Sequence, residues 1–169
     1  GRPTSGRDPN AVIPNQWSWN FGIEHEIVNN TKIEVNYVGT RGADQLQFYD
    51  ANQVAPQNRL AYNHSGGGVG NPADYRAFPQ FGADGTIVIW GHGGESRYHS
   101  LQTQLVSRFG RGSQFQASYT WSKSTGNLGL DDSGGIDDDN SISDLANPDL
   151  DWGPAKINRP HLFNASLIL

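Results

Sequence analysis

The chain has 169 residues, with 17 acidic against 12 basic side chains, a net charge of −5 with histidine neutral, and no basic run. That balance speaks against nucleic acid, or an anionic membrane surface, as the partner. The absence of cysteine excludes a disulfide framework and a thiolate metal site, and fits an exported protein.

The chain also has no methionine, opens on Gly1-Arg2-Pro3-Thr4-Ser5-Gly6 and closes within the apolar run Leu167-Ile168-Leu169. No signal-peptide core is present, so the sequence reads as an internal stretch of a longer protein. No apolar run approaches the ~18 residues of a membrane helix. Charged residues make up only 17%, and there are 21 glycines with abundant aromatics. This composition favours β structure joined by long loops.

The periodicity is two. Over 16–27, Trp17, Trp19, Phe21, Ile23, His25 and Ile27 alternate with Gln16, Ser18, Asn20, Gly22, Glu24 and Glu26. A second strand over 31–41 sets Ile33, Val35 and Tyr37 against Lys32, Glu34 and Asn36. A third, over 98–109, carries Leu101, Thr103, Leu105, Ser107 and Phe109 on one face, with Ser100, Gln102, Gln104, Val106 and Arg108 on the other. The fourth, over 113–123, alternates Phe115, Ala117, Tyr119 and Trp121 with Gln114, Gln116, Ser118 and Thr120. A fifth, over 161–169, presents Phe163, Ala165, Leu167 and Leu169 against Asn164 and Ser166. The long links, 43–97 and 124–160, are rich in Gly, Asp, Asn and Pro.

If the apolar face continues across each tight turn, paired residues share parity and the loop has an odd length. A three-residue loop favours a type I turn followed by a left-handed residue. Ile27 opposite Thr31 then leaves Val28-Asn29-Asn30, and Phe109 opposite Ser113 leaves Gly110-Arg111-Gly112. The left-handed positions fall to Asn30 and Gly112. These registers set Phe21 against Tyr37, Trp19 against Gly39, Leu105 against Ala117 and Leu101 against Trp121, all compatible cross-strand pairs.

Alternation also suits a soluble sheet with one wet face. Three features favour a barrel in lipid. The polar faces are filled with Gln, Asn, Ser and Thr, which suits a wet lumen. Trp17, Trp19, Tyr37, Tyr119 and Trp121 gather at the long-loop ends, and Phe109 and Phe115 flank the opposite turn, as two interfacial girdles require. The strands approach the ~9–11 residues that cross a bilayer at a tilt. Turns alternate short and long, as periplasmic turns and extracellular loops do. The expected fold is therefore all-β, part of a transmembrane antiparallel up-and-down barrel with about five strands in this stretch. The rest of the barrel lies outside it, since about eight strands form the smallest closed one.

At this level of detail the sequence resembles a family. Gln16-Trp17-Ser18-Trp19-Asn20, Gly22-Ile23-Glu24 and Ile33-Glu34-Val35-Asn36-Tyr37-Val38-Gly39-Thr40-Arg41-Gly42 are similar to a hairpin of Oar-like TonB-dependent transporters. So are Tyr98-His99-Ser100-Leu101-Gln102, Arg108-Phe109-Gly110-Arg111-Gly112 and Phe115-Gln116-Ala117-Ser118-Tyr119-Thr120-Trp121-Ser122-Lys123-Ser124. Asp151-Trp152-Gly153-Pro154, leading to Arg159-Pro160-His161-Leu162-Phe163, resembles the family's return to the membrane, although Asn158-Arg159-Pro160-His161 departs from its usual approach. The resemblance covers about two-thirds of the chain and implies uptake of a large substrate across the outer membrane of a Gram-negative bacterium. The expected partners are outer-membrane lipid, an extracellular ligand, and the TonB complex through parts outside this stretch. The family's plug and its N-terminal regulatory-like domain have no counterpart here.

On this reading Gln16, Asn20, Glu24, Glu34, Asn36, Gln102, Gln104, Gln116 and Ser118 face the lumen. The alternative is a soluble β-sandwich that binds carbohydrate or adheres to surfaces through Trp17, Trp19, Trp90, Trp121 and Trp152. No catalytic constellation is expected. Ile87-Val88-Ile89-Trp90-Gly91-His92-Gly93-Gly94 lacks the nucleophile elbow of a hydrolase and suits a loop strand above the membrane. Ser65-Gly66-Gly67-Gly68-Val69-Gly70 lacks the helix that a phosphate cradle needs. Asp137, Asp138 and Asp139 offer clustered oxygens suited to calcium, although a solvated loop explains them as well; no other cofactor is expected. His25 suits an interfacial position, and the other histidines show no ligand spacing.

Overall fold

The computed structural model describes residues 4–64, 66, 71–82, 85–110, 112–127 and 142–169. Seven strands form one sheet: β1 (Thr4–Arg7), β2 (Asn15–Val28), β3 (Thr31–Asp50), β4 (Ile87–Phe109), β5 (Ser113–Gly126), β6 (Gly153–Pro154) and β7 (His161–Ile168). β2, β3, β4 and β5 follow one another in antiparallel order, and β6 and β7 both lie along the far edge of β5. β1 pairs with β4 in parallel. It takes the side of β4 that β5 leaves beyond Ser96.

The ladder follows the sequence alternation. Phe21 lies opposite Tyr37, Trp19 opposite Gly39, Leu105 opposite Ala117 and Leu101 opposite Trp121, each as the parity argument requires. Pairing runs without a break from Thr31–Ser107 to Gly42–Ser96 between β3 and β4, and along the whole of β4–β5. Irregularities stand only at the ends. One lies at the first turn and the others beyond Gly42.

At the first turn the structure corrects the expected register. Val28, not Ile27, pairs with Thr31, with a shift between Glu26 and Val28. A bulge on β2 absorbs the extra residue and shortens the loop to Asn29-Asn30. Asn30 is left-handed as expected, at φ 64°, and its amide donates to Glu26 Oε1 at 2.9 Å. The second turn keeps Phe109 opposite Ser113. Both Gly110 (φ 63°) and Gly112 (φ 114°) have positive φ, so its first residue departs from the expected type I turn.

The strands are also longer than their membrane portions. β3 runs to Asp50, β4 starts at Ile87 and β5 reaches Gly126, so the links expected over 43–97 and 124–160 are shorter. The alternation breaks where β3 takes an extra residue between Gly42 and Gln45 and β4 takes one opposite Gln45–Leu46. The two insertions cancel, and Gln47 again pairs with Gly91 and Phe48 with Trp90.

Beyond these bulges the strands and their links build a small crown. Phe48, only 4% exposed, is buried along with Ala55, Ala73 and Ile142, its carbonyl accepts from the Ile142 amide at 3.1 Å, and its ring meets Trp90 edge-on at 5.0 Å. Asn52 is fully buried. Its Nδ2 donates to the Gly85 carbonyl at 2.6 Å, and its Oδ1 accepts from the Phe78 amide at 2.7 Å. A short helix, α1 (Arg59–His64), is tied to the last link by a two-pronged ion pair from Arg59 to Asp144.

This crown is the only packed core among the described residues. Trp17, Trp19, Phe21, Ile23, Leu101, Tyr119, Trp121 and Phe163 are all exposed, Phe21 by 72%. Among the described residues no second layer covers them, as the packed faces of a β-sandwich would require.

Two predictions follow from the packing. A Cβ built on Gly39 runs into the Trp19 indole, so Gly39→Val must displace that ring. Overpacking of this kind costs about 1–3 kcal/mol; the urea midpoint of the folded protein in lipid should fall and Trp fluorescence should shift, with Gly39→Ala milder. In the crown, the Arg59 hydrogen bond, followed by backbone amides, holds the Asp144 carboxyl below its ordinary range. A lowered folded value stabilises above the unfolded value, and the contribution is lost as pH falls through the folded one. Hydrogen-exchange protection of residues 56–64 should drop as pH falls below about 4, the ordinary carboxylate value, and Asp144→Asn should remove the pH dependence.

Candidate functional site: two faces of one sheet

Between the bulges, β2, β3, β4, β5 and β7 present odd-numbered residues to one side and even-numbered residues to the other. The even face joins Gln16, Asn20, Glu24, Glu34, Asn36, Gln102, Gln104, Gln116 and Ser118, because Asn36 pairs with Gln102, Glu34 with Gln104 and Gln104 with Ser118. The structure thus brings onto one face all nine residues expected there. Ser100, in its midst, is only 2% exposed.

Near the short turns this face carries a charged cluster. Glu24 lies directly opposite Glu34, an unfavourable like-charge pair. It is relieved on both sides: Lys32 Nζ donates to Glu24 Oε1 at 2.5 Å, and Asn36 Nδ2 donates to Glu34 Oε1 at 2.6 Å. Glu24, Glu26, Lys32, Glu34, Gln104 and Arg108 line a shallow groove of about 280 Å³. Arg108 Nε donates to Gln114 Oε1 at 3.4 Å. Such a surface offers both charge signs and many amide groups to water or to a polar ligand.

The odd face is apolar and ringed by aromatics. Trp17 stands opposite Arg41, while Phe21, Tyr37, Leu101 and Trp121 form one cross-strand row. Tyr119 faces Phe163, and Phe115 and Phe109 occupy the turn end. The polar tips in the upper row find partners sideways. Tyr37 Oη and His99 Nδ1 are 2.8 Å apart, as are Tyr119 Oη and His161 Nδ1. Both pairs stack, with ring centroids 6.2 and 6.1 Å apart. His99 and His161 showed no ligand spacing along the chain, and their role emerges only across strands. The missing signals were the β3–β4 and β5–β7 registers, since the long links between these strands carry no parity rule.

Asp137, Asp138 and Asp139 lie outside the described residues, as does most of the 65–70 glycine run. Among the described residues no group of three or more His, Asp or Glu side chains is arranged to hold a metal. No described helix is long and apolar enough to cross a membrane.

Residues 2–169 match a family model described as an outer membrane beta barrel domain. No curated protein and no solved structure matches the chain. The family agrees with the geometry: an antiparallel meander, one naked apolar face, one polar face, and turns that alternate between short and long. The chain belongs to the outer membrane beta barrel domain family, and its sheet is part of an antiparallel barrel resident in the outer membrane.

Proposed function

We propose that this sheet is the wall of a TonB-dependent transporter of the Oar-like kind, which takes up a substrate too large for an open pore. On this reading the even face, with its Glu24–Glu34–Lys32 cluster, lines the lumen, and the odd face meets hydrocarbon. Trp17, Trp19, Tyr37, Tyr119 and Trp121 mark one membrane interface and Phe109 and Phe115 the other. The crown beyond Gly42 meets the extracellular ligand. The periplasmic TonB complex drives uptake through parts of the protein outside this wall, and the wall needs no cofactor or catalytic group of its own.

The observation that carries the proposal is the exposed apolar face set against a hydrogen-bonded polar one. Ten residues separate His99 from Phe109, a rise of ~33 Å along the strand at ~3.3 Å each. At the usual ~40° tilt this gives the ~25 Å apolar band of such barrels. The motifs shared with the Oar-like family, above all Tyr37-Val38-Gly39-Thr40-Arg41-Gly42, support the finer assignment.

Two experiments test this reading. The stretch contains no cysteine, so a single dye is readily placed at Ile23→Cys or Gln104→Cys in the intact protein in lipid. Brominated acyl chains should quench the dye at position 23 strongly and at position 104 hardly at all. Equal quenching would overturn the assignment of faces. The purified intact protein should also bind the periplasmic domain of TonB and carry no steady current in a planar bilayer. A steady open-channel current without TonB binding would instead make it a porin.

A further inference from the structure

Within the strands, the charged residues on the odd face are confined to its long-loop end: Arg41, Glu95, Arg97 and Lys123. At the turn end the same face presents Ile27, Thr31, Ser107, Phe109, Ser113 and Phe115, none of them charged. The asymmetry is a matter of placement, because the turn end has charges enough on the even face. Arg41 lies directly opposite Arg97, and Lys123 opposite His99, one pair of positions nearer the apolar band. Arg159 joins them from the approach to β7. Its carbonyl accepts from Ser122 Oγ at 2.8 Å, and the neighbouring Pro160 carbonyl accepts from the Ser122 amide at 2.9 Å.

Ion pairing among the described residues does not use up these cations. Glu95 reaches Arg41 at 3.6 Å and Arg97 at 3.8 Å, so one loosely held carboxylate serves two guanidinium groups that remain half exposed. Arg97 also lies 4.9 Å over the Trp152 ring, which orients it without neutralising it. Lys123 and Arg159 are exposed and make no ion pair among the described residues. With Glu95 and Asp149 counted, the four cations leave a local charge of about +2 among the described residues. This patch lies on a chain whose net charge is −5. Asp149 faces the group across a hollow of about 470 Å³ that Trp152 also lines.

We infer that Arg41, Arg97, Lys123 and Arg159 form a binding site for the phosphate groups of a phosphorylated lipid in the leaflet at the long-loop side. The inference rests on the odd face being the lipid face. Long basic side chains at the edge of an apolar band keep their stems on it and carry their charge to headgroup level. An Arg pair offers planar donors for phosphate oxygens, and lysine adds a mobile point charge. Aromatic rings at the same height, Trp17 and Trp19 next to Arg41 and His99, give the acyl and sugar portions a flat surface.

The test uses the intact protein purified in detergent, with native mass spectrometry reading bound lipid. The probes are bisphosphorylated lipid A, its dephosphorylated form and inorganic phosphate. Lipid A should be retained and the dephosphorylated form lost. A surface cation contributes about 1 kcal/mol toward an anionic lipid, so Lys123→Gln and Arg159→Gln should each weaken retention roughly five-fold. Neither side chain makes an ion pair or a side-chain hydrogen bond among the described residues, so barrel folding, read by heat-modifiable gel mobility, should not change. Unchanged retention in the folded double variant, or equal retention of both lipid A forms, would overturn the site. Inorganic phosphate competing at the lipid's own concentration would also overturn it as a lipid site. Quenching at position 23 by brominated chains, measured on the same variants, tells apart failure of this site from failure of the face assignment on which it rests.

Discussion

The backbone ladder is the constraint on which the rest of the structure depends. Hydrocarbon cannot satisfy an amide or a carbonyl, so every such group at membrane depth must find its partner in the neighbouring strand. In this sheet the pairing is unbroken from Thr31–Ser107 to Gly42–Ser96, and its irregularities stand at the ends. An unbroken ladder fixes parity. A slip of one residue at any depth would send Phe21, Leu101 and Trp121 to the water side, and Glu24, Glu34 and Gln104 to the other. Side-chain chemistry and backbone pairing therefore select the same register.

Where parity governs, the sequence was legible. Four cross-strand pairs, both turn sites and the composition of both faces follow from alternation and from the left-handed preferences of Asn30 and Gly112. Where parity stops, legibility stops too. The outer halves of β3 and β4 pass through bulges, and their glycines, Gly91, Gly93 and Gly94, carry no hydrophobic pattern. β1 leaves no local signal, because a four-residue parallel pairing with Ile87–Trp90 depends on a partner some eighty positions away. The first turn was misjudged by one position because a bulge can absorb the odd residue that parity had assigned to the loop.

Charge teaches a similar lesson about averages. The acidic net balance argues against any anionic surface as partner, yet it sums two faces and two ends that do not mix. The carboxylates Glu24, Glu26 and Glu34 lie on the even face near the turns, with Lys32 and Arg108 beside them. Arg41, Arg97 and Lys123 lie on the odd face at the other end. Polar groups on the apolar side are handled by pairing: Tyr37 with His99 and Tyr119 with His161 each close a hydrogen bond between adjacent strands. Each pair gives the polar tip of an aromatic a partner within the sheet.

The two cancelling insertions near Gln45 have an evolutionary consequence. Because β3 and β4 each gain one residue there and resume the same register at Gln47–Gly91, strain from the crown is absorbed before it reaches the wall. The crown's links, their short helix and their buried Asn52 are thereby free to diverge in length and composition. A change in the crown's links need not disturb the ladder beneath, because the register is restored across the two insertions.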